Sequence, residues 1–444
     1  MSSDARDIAR RLLAGTDSGP GVPTPAPTTS ASPNRRTRPR HDPTFADHPD
    51  VVATKRIYGS LDEVFGAAGL TNPFFHPHDG TNGATVSYSG RELINFGSFS
   101  YLGLAEDPRV REAAKDAIDV YGTSVSASRI VSGQIPLYSD LERRLADAYA
   151  VDDAVVTTSG YSTNTAAVGY LLGAGDLAVC DSLVHSSIVS GTRWAGCKRI
   201  SFRHNDPDSL DAVLRMSRGS FERALVVLEG HYSMDGDVPP LPELIEVARR
   251  HDCSIMIDEA HSFGVLGRTG LGVRELFDLP GDAVDIWMGT LSKALGSCGG
   301  FLAGNADLVR GFKYSAPGVS LYATGPAPSA VAAARAAFDV MRAEPERVER
   351  VQANGALLHR TALEHGFDVG MSQGTPIVPI LVRDTDRAAL ASTAMMERGV
   401  NTTAITHPSV PAGEERLRFF VSSDHTPDQI EYAMATLREV VDSL

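Results

Sequence analysis

Between residues 145 and 302 the chain repeats one pattern: a short apolar run, then a stretch whose apolar positions recur at helical spacing. The runs are AVVT (154–157), LAVC (177–180), ALVVL (224–228), SIMI (254–257) and DIWM (285–288). LPELIEVARR (241–250) is one of the amphipathic stretches between them. Strands that are apolar on both faces must be covered on both, and strands separated by helices run parallel. The pattern therefore predicts an α/β fold with a mostly parallel sheet between helices. Open sheets of this kind place ligands at the carboxyl ends of their strands. The residues that follow the runs are the candidates for chemistry.

The rest of the chain frames that core. Residues 46–110 are evenly globular and lead into it, and 111–328 form the large domain. After Ser329 come a helix-like stretch (330–342), a mixed pattern, a strand over 417–421 and a helix over 427–444, which predict a smaller α+β domain at 329–444. Residues 1–45 differ: DARDIARRLLA (4–14) has a short amphipathic pattern, and seven prolines follow between positions 20 and 43. Such a stretch buries too little apolar surface to offset its ordering entropy and reads as a flexible arm. It carries the basic cluster Arg35, Arg36, Arg38 and Arg40. Two readings stand, a solvated tail or a docking segment whose helix binds a partner.

Composition narrows the class. Hydrophobic residues make up 42% and charged residues 22% of 444, a globular balance that excludes a wholly disordered or collagen-like chain. No apolar run reaches the ~18 residues of a membrane span. Charges interrupt the apolar positions of the first fifteen residues, so no signal-peptide core is expected. Cys180, Cys197, Cys253 and Cys298 are far apart with no CxxC pair, which predicts reduced thiols, a cytoplasmic setting and no metal site. A net charge of −14 argues against a nucleic-acid binder.

Four strand ends deliver reactive side chains. SIMI is followed by Asp258, Glu259, Ala260 and His261, and DIWM by Gly289, Thr290, Leu291, Ser292 and Lys293. AVVT leads to Ser159, Gly160 and Tyr161, with a helix expected from about Thr163, and LAVC leads to Asp181 and His185. Pyridoxal 5'-phosphate (PLP) requires that set. Its aldehyde needs a lysine for a Schiff base, here Lys293 beside the phosphate-binding hydroxyls of Thr290 and Ser292. Its ring nitrogen needs a counter-charge, here Asp258, because an adjacent carboxylate favours the cation by ~1–3 pKa units. His261 is placed to reach the phenolic oxygen, His185 to lie on the ring, and the backbone at Gly160 and Tyr161 to receive phosphate at a helix N-terminus. Taken singly each has a plainer reading: Lys293 a surface charge, Asp258 a helix cap, the histidines structural. DEAH also labels helicases, but these need a GxxxxGK[ST] loop that this sequence lacks. The order of all four strand ends together carries the cofactor assignment.

With these residues in place the chain resembles the α-oxoamine synthase family of fold-type I PLP enzymes. The matching segments include NFGSFSYLGL (95–104), YGTSVSASRIVSG (121–133), SGYSTN (159–164), DSLVHSSIVSG (181–191), EGHYSMDGDVPPL (229–241), DEAHSFGVLGRTGLG (258–272), GTLSKALGSCGG (289–300), TPIVPI (375–380) and HPSVPAGEERLRF (407–419). GLTNPFFHPHDGTNGAT with GTSVSASRIVSG is most similar to members of polyketide and non-ribosomal peptide pathways, which implies secondary metabolism and an acyl carrier protein as partner.

The resemblance implies a decarboxylative condensation of an amino acid with an acyl thioester, giving an α-amino ketone, CO2 and a free thiol. It implies that Lys293 binds the cofactor and takes the Cα proton, that Asp258 pairs with the ring nitrogen, and that His261 and His185 contact the ring. Ser159, Gly160, Tyr161, Thr290 and Ser292 fall at phosphate positions, and Ser233 lies in a loop near the ring. Arg418 matches an arginine that grips the amino-acid carboxylate. Arg416 and Arg418 share a strand face there, with Leu417 pointing away. Thr324 matches a phosphate contact from a neighbouring subunit, which implies a homodimer.

Two departures bear on specificity. Phe99 and Ser100 stand where the family often has Asn or Asp, so a carboxylate contact is either lost or replaced by the Ser100 hydroxyl, and glycine, alanine and serine all remain open as substrates. Tyr138 stands where relatives often place a histidine, which implies a difference on the acyl side. The donor is a carrier-protein or coenzyme A thioester. The competing enzyme class is a fold-type I aminotransferase or C–C lyase, which shares the lysine and the aspartate.

Overall fold

The computed structural model describes residues 44–68, 74–407 and 409–444. The predicted docking helix and proline-rich segment, up to residue 43, lie outside the described residues. Tyr58 to Leu444 form one compact unit, to which everything below refers.

The apolar runs become the strands of a seven-stranded sheet. In chain order these are β1 (Asp153–Thr157), β2 (Leu177–Asp181), β3 (Lys198–Phe202), β4 (Ala224–Glu229), β5 (Ser254–Asp258), β6 (Ile286–Thr290) and β7 (Gly300–Gly304), and their spatial order is β1-β7-β6-β5-β4-β2-β3. Side chains alternate across a strand, so each run feeds two cores. Val226, Leu228, Ile255, Ile257 and Trp287 enter one apolar cluster. Leu225, Val227, Met256, Ile286 and Met288 enter another on the opposite face.

One strand departs from the parallel pattern. β7 runs antiparallel to both β1 and β6, with Gly300 opposite Thr157 and Thr290. The reason is the connection, because an antiparallel pair can be joined by a short loop, whereas a parallel pair needs a helical crossover. Residues 291–299, which carry Lys293, form that loop, so the lysine sits in a hairpin at the carboxyl end of β6. The strands also run slightly past the expected apolar runs. Asp181, Glu229, Asp258 and Thr290 are the last residues of their strands and not the first residues of loops.

The C-terminal part packs a three-stranded antiparallel sheet, β8 (Ile377–Leu381), β9 (Thr403–Ile405) and β10 (Arg416–Phe420), in the order β8-β10-β9. Leu417 and Phe419 of β10 join Val378, Ile380 and residues of the helices Glu346–Glu364 and Pro427–Ser443 in a separate core. The last helix opens with a capping box, Thr426 and Gln429 each bonding the other's backbone N–H. Phe96 also joins this core, because the sheet built on Asp79–Asn82, Thr85–Tyr88 and Arg91–Asn95 is extended by Val400–Asn401. The helix Pro328–Ala343, by contrast, buries Val331, Ala334, Ala337 and Met341 in the large-sheet cluster.

Candidate active site

A cavity of about 200 Å³ opens at the carboxyl ends of β1, β4, β5 and β6, and it is lined by Ser159, Gly160, Tyr161, His185, Asp258, His261, Thr290, Ser292 and Lys293. Nine of the residues expected from the sequence therefore meet in one place. A larger cavity of about 910 Å³, lined in part by Asn205, Arg268 and Gln373, contains none of them.

Asp258 is buried and held from two directions. Asn164 Nδ2 donates to Oδ2 at 2.7 Å and Ala260 N donates to Oδ1 at 2.9 Å. The same Asn164 nitrogen donates to Ser187 Oγ at 3.0 Å, and Ser187 Oγ lies 2.7 Å from His185 Nδ1. The Ser187 N–H also points at His185 Nδ1, so that nitrogen is an acceptor and Nε2 carries the hydrogen. One chain of hydrogen bonds thus orients both the carboxylate and the imidazole. Tyr161 stands edge-on to His185.

Lys293 is partly buried, and its side-chain amine makes no hydrogen bond among the described residues, while its carbonyl accepts from Gly296 N at 2.9 Å. Burial lowers its pKa to about 8, against the opposing pull of Asp258 and Glu229. Burial likewise lowers the pKa of His185 and, with Lys293 nearby, holds that of His261 well below 6.5. Both rings are therefore neutral near pH 7.

The helix Gly160–Leu171 begins at Gly160 and not near Thr163, so the backbone N–H groups of its first turn face the cavity. Its N-cap, Ser159, makes no side-chain capping bond, which leaves those donors open to an anion. A Cβ on Gly160 would sit 3.1 Å from Thr290 Oγ1, so a larger residue would crowd the phosphate end. Thr290 Oγ1 donates to Gly299 O at 2.9 Å and accepts from Ser292 N at 3.2 Å.

Arg418 comes from β10, whose alternation sends Leu417 and Phe419 into the core and both arginines to the other face. Arg418 Nη1 donates to Ser233 O at 2.9 Å, and the guanidinium lies over the Phe420 ring at 4.5 Å. Neither Arg418 nor Ser100 is part of the cavity lining. Among the described residues the buried Arg418 Nε has no hydrogen-bond partner, nor has the buried Ser100 hydroxyl. Arg416 has one, Asp235 Oδ1 at 2.6 Å. Ser233 therefore contributes its carbonyl to Arg418 and does not line the cavity. Thr324 is exposed and lies outside this chain's cavity, opposite Ser128 in an isolated bridge. Tyr138 is fully buried and donates to Pro326 O at 2.5 Å, so it braces the segment that carries Thr324.

Sequence reasoning missed Asn164 and Glu229. Asn164 lies one helical turn beyond Gly160 in SGYSTN, which puts both on one face. Glu229 ends β4 directly beside Asp258, its register partner on β5, and it lines the same cavity. The strand-end rule that singled out Asp258 applies equally to it. Burial raises the Glu229 pKa well above 4.5. Beside the cavity His204 ties two loops together, with Nδ1 2.8 Å from Asp181 and Nε2 2.7 Å from Asp237. Burial alone would lower its pKa, but the two carboxylates outweigh it and raise it to about 10.

The residues present fit PLP. A lysine amine without a hydrogen bond, an anchored buried carboxylate and an uncapped helix start with two hydroxyls share one cavity of modest size. Among the described residues no helix is long and apolar enough to cross a membrane, and no group of side chains suits a metal ion.

Comparison with known proteins agrees. Residues 91–437 match the family model described as aminotransferase class I and II. The chain is 38% identical over 351 residues to the 8-amino-7-oxononanoate synthase of Symbiobacterium thermophilum, covering 79% of this chain and 89% of that protein. It is 36% identical over 368 residues to the serine palmitoyltransferase of Sphingobacterium spiritivorum, covering 83% and 91%. A solved serine palmitoyltransferase structure with PLP as internal aldimine superposes with a TM-score of 0.83 at 29% identity, over 89% of this chain and 99% of that one. With the cavity's residues and these relatives together, the chain belongs to the aminotransferase class I and II family and, within it, to the PLP-dependent acyltransferases known as α-oxoamine synthases.

Proposed function

We propose that the chain condenses an amino acid (glycine, alanine or serine) with an acyl thioester, releasing CO2 and a free thiol and leaving an α-amino ketone. Bound PLP supplies an electron sink for the negative charge that develops at the amino acid's Cα. Lys293 would hold the cofactor through its amine, and that amine, when free, would take the Cα proton. A pKa near 8 keeps part of that amine unprotonated at neutral pH. Asp258, fixed by Asn164, faces the ring nitrogen, and a fixed ion pair costs no reorganisation during reaction. His185 would contact the ring, His261 would donate to its phenolic oxygen, and Ser159, Gly160, Tyr161, Thr290 and Ser292 would hold the phosphate. Arg418, with a free Nε, binds the substrate carboxylate bidentately, and Ser100 supplies a hydroxyl beside it. Ser233 steadies Arg418 through its carbonyl.

Thr324 completes the phosphate site of a second copy, which makes the working form a homodimer. The thioester is carried by an acyl carrier protein or by coenzyme A, in secondary metabolism. The cytoplasm suits four unpaired cysteines. The division into a large domain at 111–328 and a small one at 329–444 rests on the sequence pattern; a separate apolar cluster supports the small domain, although the helix Pro328–Ala343 packs with the large sheet.

The observation that carries the reading is the single cavity joining the unbonded Lys293 amine, the anchored Asp258 and the open helix start. Visible spectra of the purified protein with PLP, titrated with glycine, alanine and serine in turn, test it. The expected result is a visible band that shifts with one of the three. Absence of any band would leave the family assignment describing the fold alone.

A further inference from the structure

Tyr101 plays no part in the reading above. Its side chain is fully buried, edge-on to both His261 and Phe420. Its hydroxyl lies 2.8 Å from His261 Nδ1 and has no other hydrogen-bond partner among the described residues. Burial pushes the phenol pKa up, so the oxygen keeps its proton. Orphaned buried donors are rarer in proteins than acceptors with an idle lone pair, and a hydroxyl has one proton to place but two lone pairs. Tyr101 therefore donates, and His261 Nδ1 accepts.

The consequence falls on the other nitrogen. A neutral imidazole that accepts at Nδ1 carries its hydrogen on Nε2. His261 is kept neutral by burial and by Lys293 nearby. Its Nε2 makes no hydrogen bond among the described residues, and the residue lines the cavity. The ring has little freedom to turn. Phe420 lies parallel to it (5°, centroids 6.0 Å apart), and His231 Nδ1 reaches the His261 carbonyl at 3.0 Å.

We propose that Tyr101 is a positioning residue that locks His261 in the Nε2–H tautomer, so that the ring presents a hydrogen-bond donor to the phenolic oxygen of PLP. The inference rests on the proposed role of His261 and deepens it. A tyrosine one contact removed from the cofactor decides which proton the cofactor meets.

The test is ¹⁵N NMR of the full chain with labelled histidine, before PLP is added, with His261 assigned by the signals lost in His261→Gln. The expected wild-type spectrum shows His261 Nδ1 unprotonated and Nε2 protonated. In Tyr101→Phe the two nitrogens should move toward an average of both tautomers, and PLP affinity should fall about five- to ten-fold, the worth of roughly one hydrogen bond. A protonated Nδ1 in the wild-type protein would overturn the proposal. So would a folded Tyr101→Phe with unchanged His261 shifts and unchanged PLP affinity. If that variant does not fold, the wild-type spectrum decides alone. Failure of the wild-type protein to bind PLP, with the expected tautomer present, would overturn the role toward the cofactor and the functional reading while leaving the tyrosine–histidine geometry intact.

Discussion

At His204 both imidazole nitrogens meet a carboxylate, at 2.8 and 2.7 Å. In the cavity the Lys293 amine makes no hydrogen bond among the described residues and Asn164 Oδ1 is buried without a partner, as are the Ser100 hydroxyl and Arg418 Nε outside the cavity lining. The two regions draw on the same residue types and differ in how their basic groups are paired, since His204 meets two carboxylates and the Lys293 amine meets none within ion-pair distance among the described residues. A buried polar group normally has its partner. Groups that have one hold the loops in place; of those that lack one, Asn164 Oδ1 lies at the cavity, while Asp237 Oδ1 and the Tyr149 hydroxyl lie away from it. Arg416 and Arg418, two positions apart on β10, show the contrast on one strand face, since the first is paired with Asp235 and the second keeps a free nitrogen.

Mutations can break that comparison, beginning with the largest effect. Lys293→Ala should lower turnover by more than about 10³-fold, within the range lost with a general base, while the melting temperature stays level or rises because a partly buried charge without a hydrogen-bond partner has gone. Product assays and thermal unfolding of the same sample check both halves. His204→Gln should do the reverse, costing about 3–5 kcal/mol by stranding two carboxylates, with turnover per folded molecule reduced far less. Denaturant midpoints measure it, and a variant as stable as wild type would refute the scaffold role.

The His204 effect should also follow pH. Its folded pKa is raised to about 10 from an unfolded value near 6.5. Its stabilisation is therefore complete below about pH 6.5 and disappears as pH rises through about 10. The gap between wild type and His204→Gln should be widest near pH 6 and should close toward pH 10. A gap that widens with pH would mean that the ring is neutral when folded.

Smaller effects sharpen the picture on β10. Arg418→Ala should raise the amino-acid KM by about 10- to 100-fold, the worth of a hydrogen bond to a charged group, with little change in stability. Arg416→Ala should cost stability by exposing Asp235 as an unpaired buried acid. An unaltered KM in Arg418→Ala would remove its assigned role.

Much of this is legible in the sequence because strand periodicity is regular. Apolar runs locate β1, β2, β4, β5 and β6, and the residues after them supply Asp258, His261, Lys293 and His185. Alternation in RLRFF is enough to put Arg418 and Leu417 on opposite faces of β10. Legibility fails where a contact depends on three-dimensional neighbours. The antiparallel β7 carries a small-residue sequence, GFLAG, that shows no strand signal beside the glycine-rich loop before it. Asn164 acts through Asp258 and Ser187, residues distant in sequence, and Tyr101 through His261, so neither announces a role on its own. Tyr138, read as an acyl-side difference, is a core residue whose hydroxyl donates to Pro326 O, a contact that sequence alone does not show.

The most direct measurement follows the carboxyl carbon. The protein, loaded with PLP, is given carboxyl-¹³C amino acid and an acyl thioester, and ¹³CO2 and free thiol are counted together. The account predicts both products in equal amounts, formed only when both substrates are present and absent with Lys293→Ala. Conversion of the amino acid to a keto acid that retains the label, with no need for thioester, would contradict it and identify an aminotransferase.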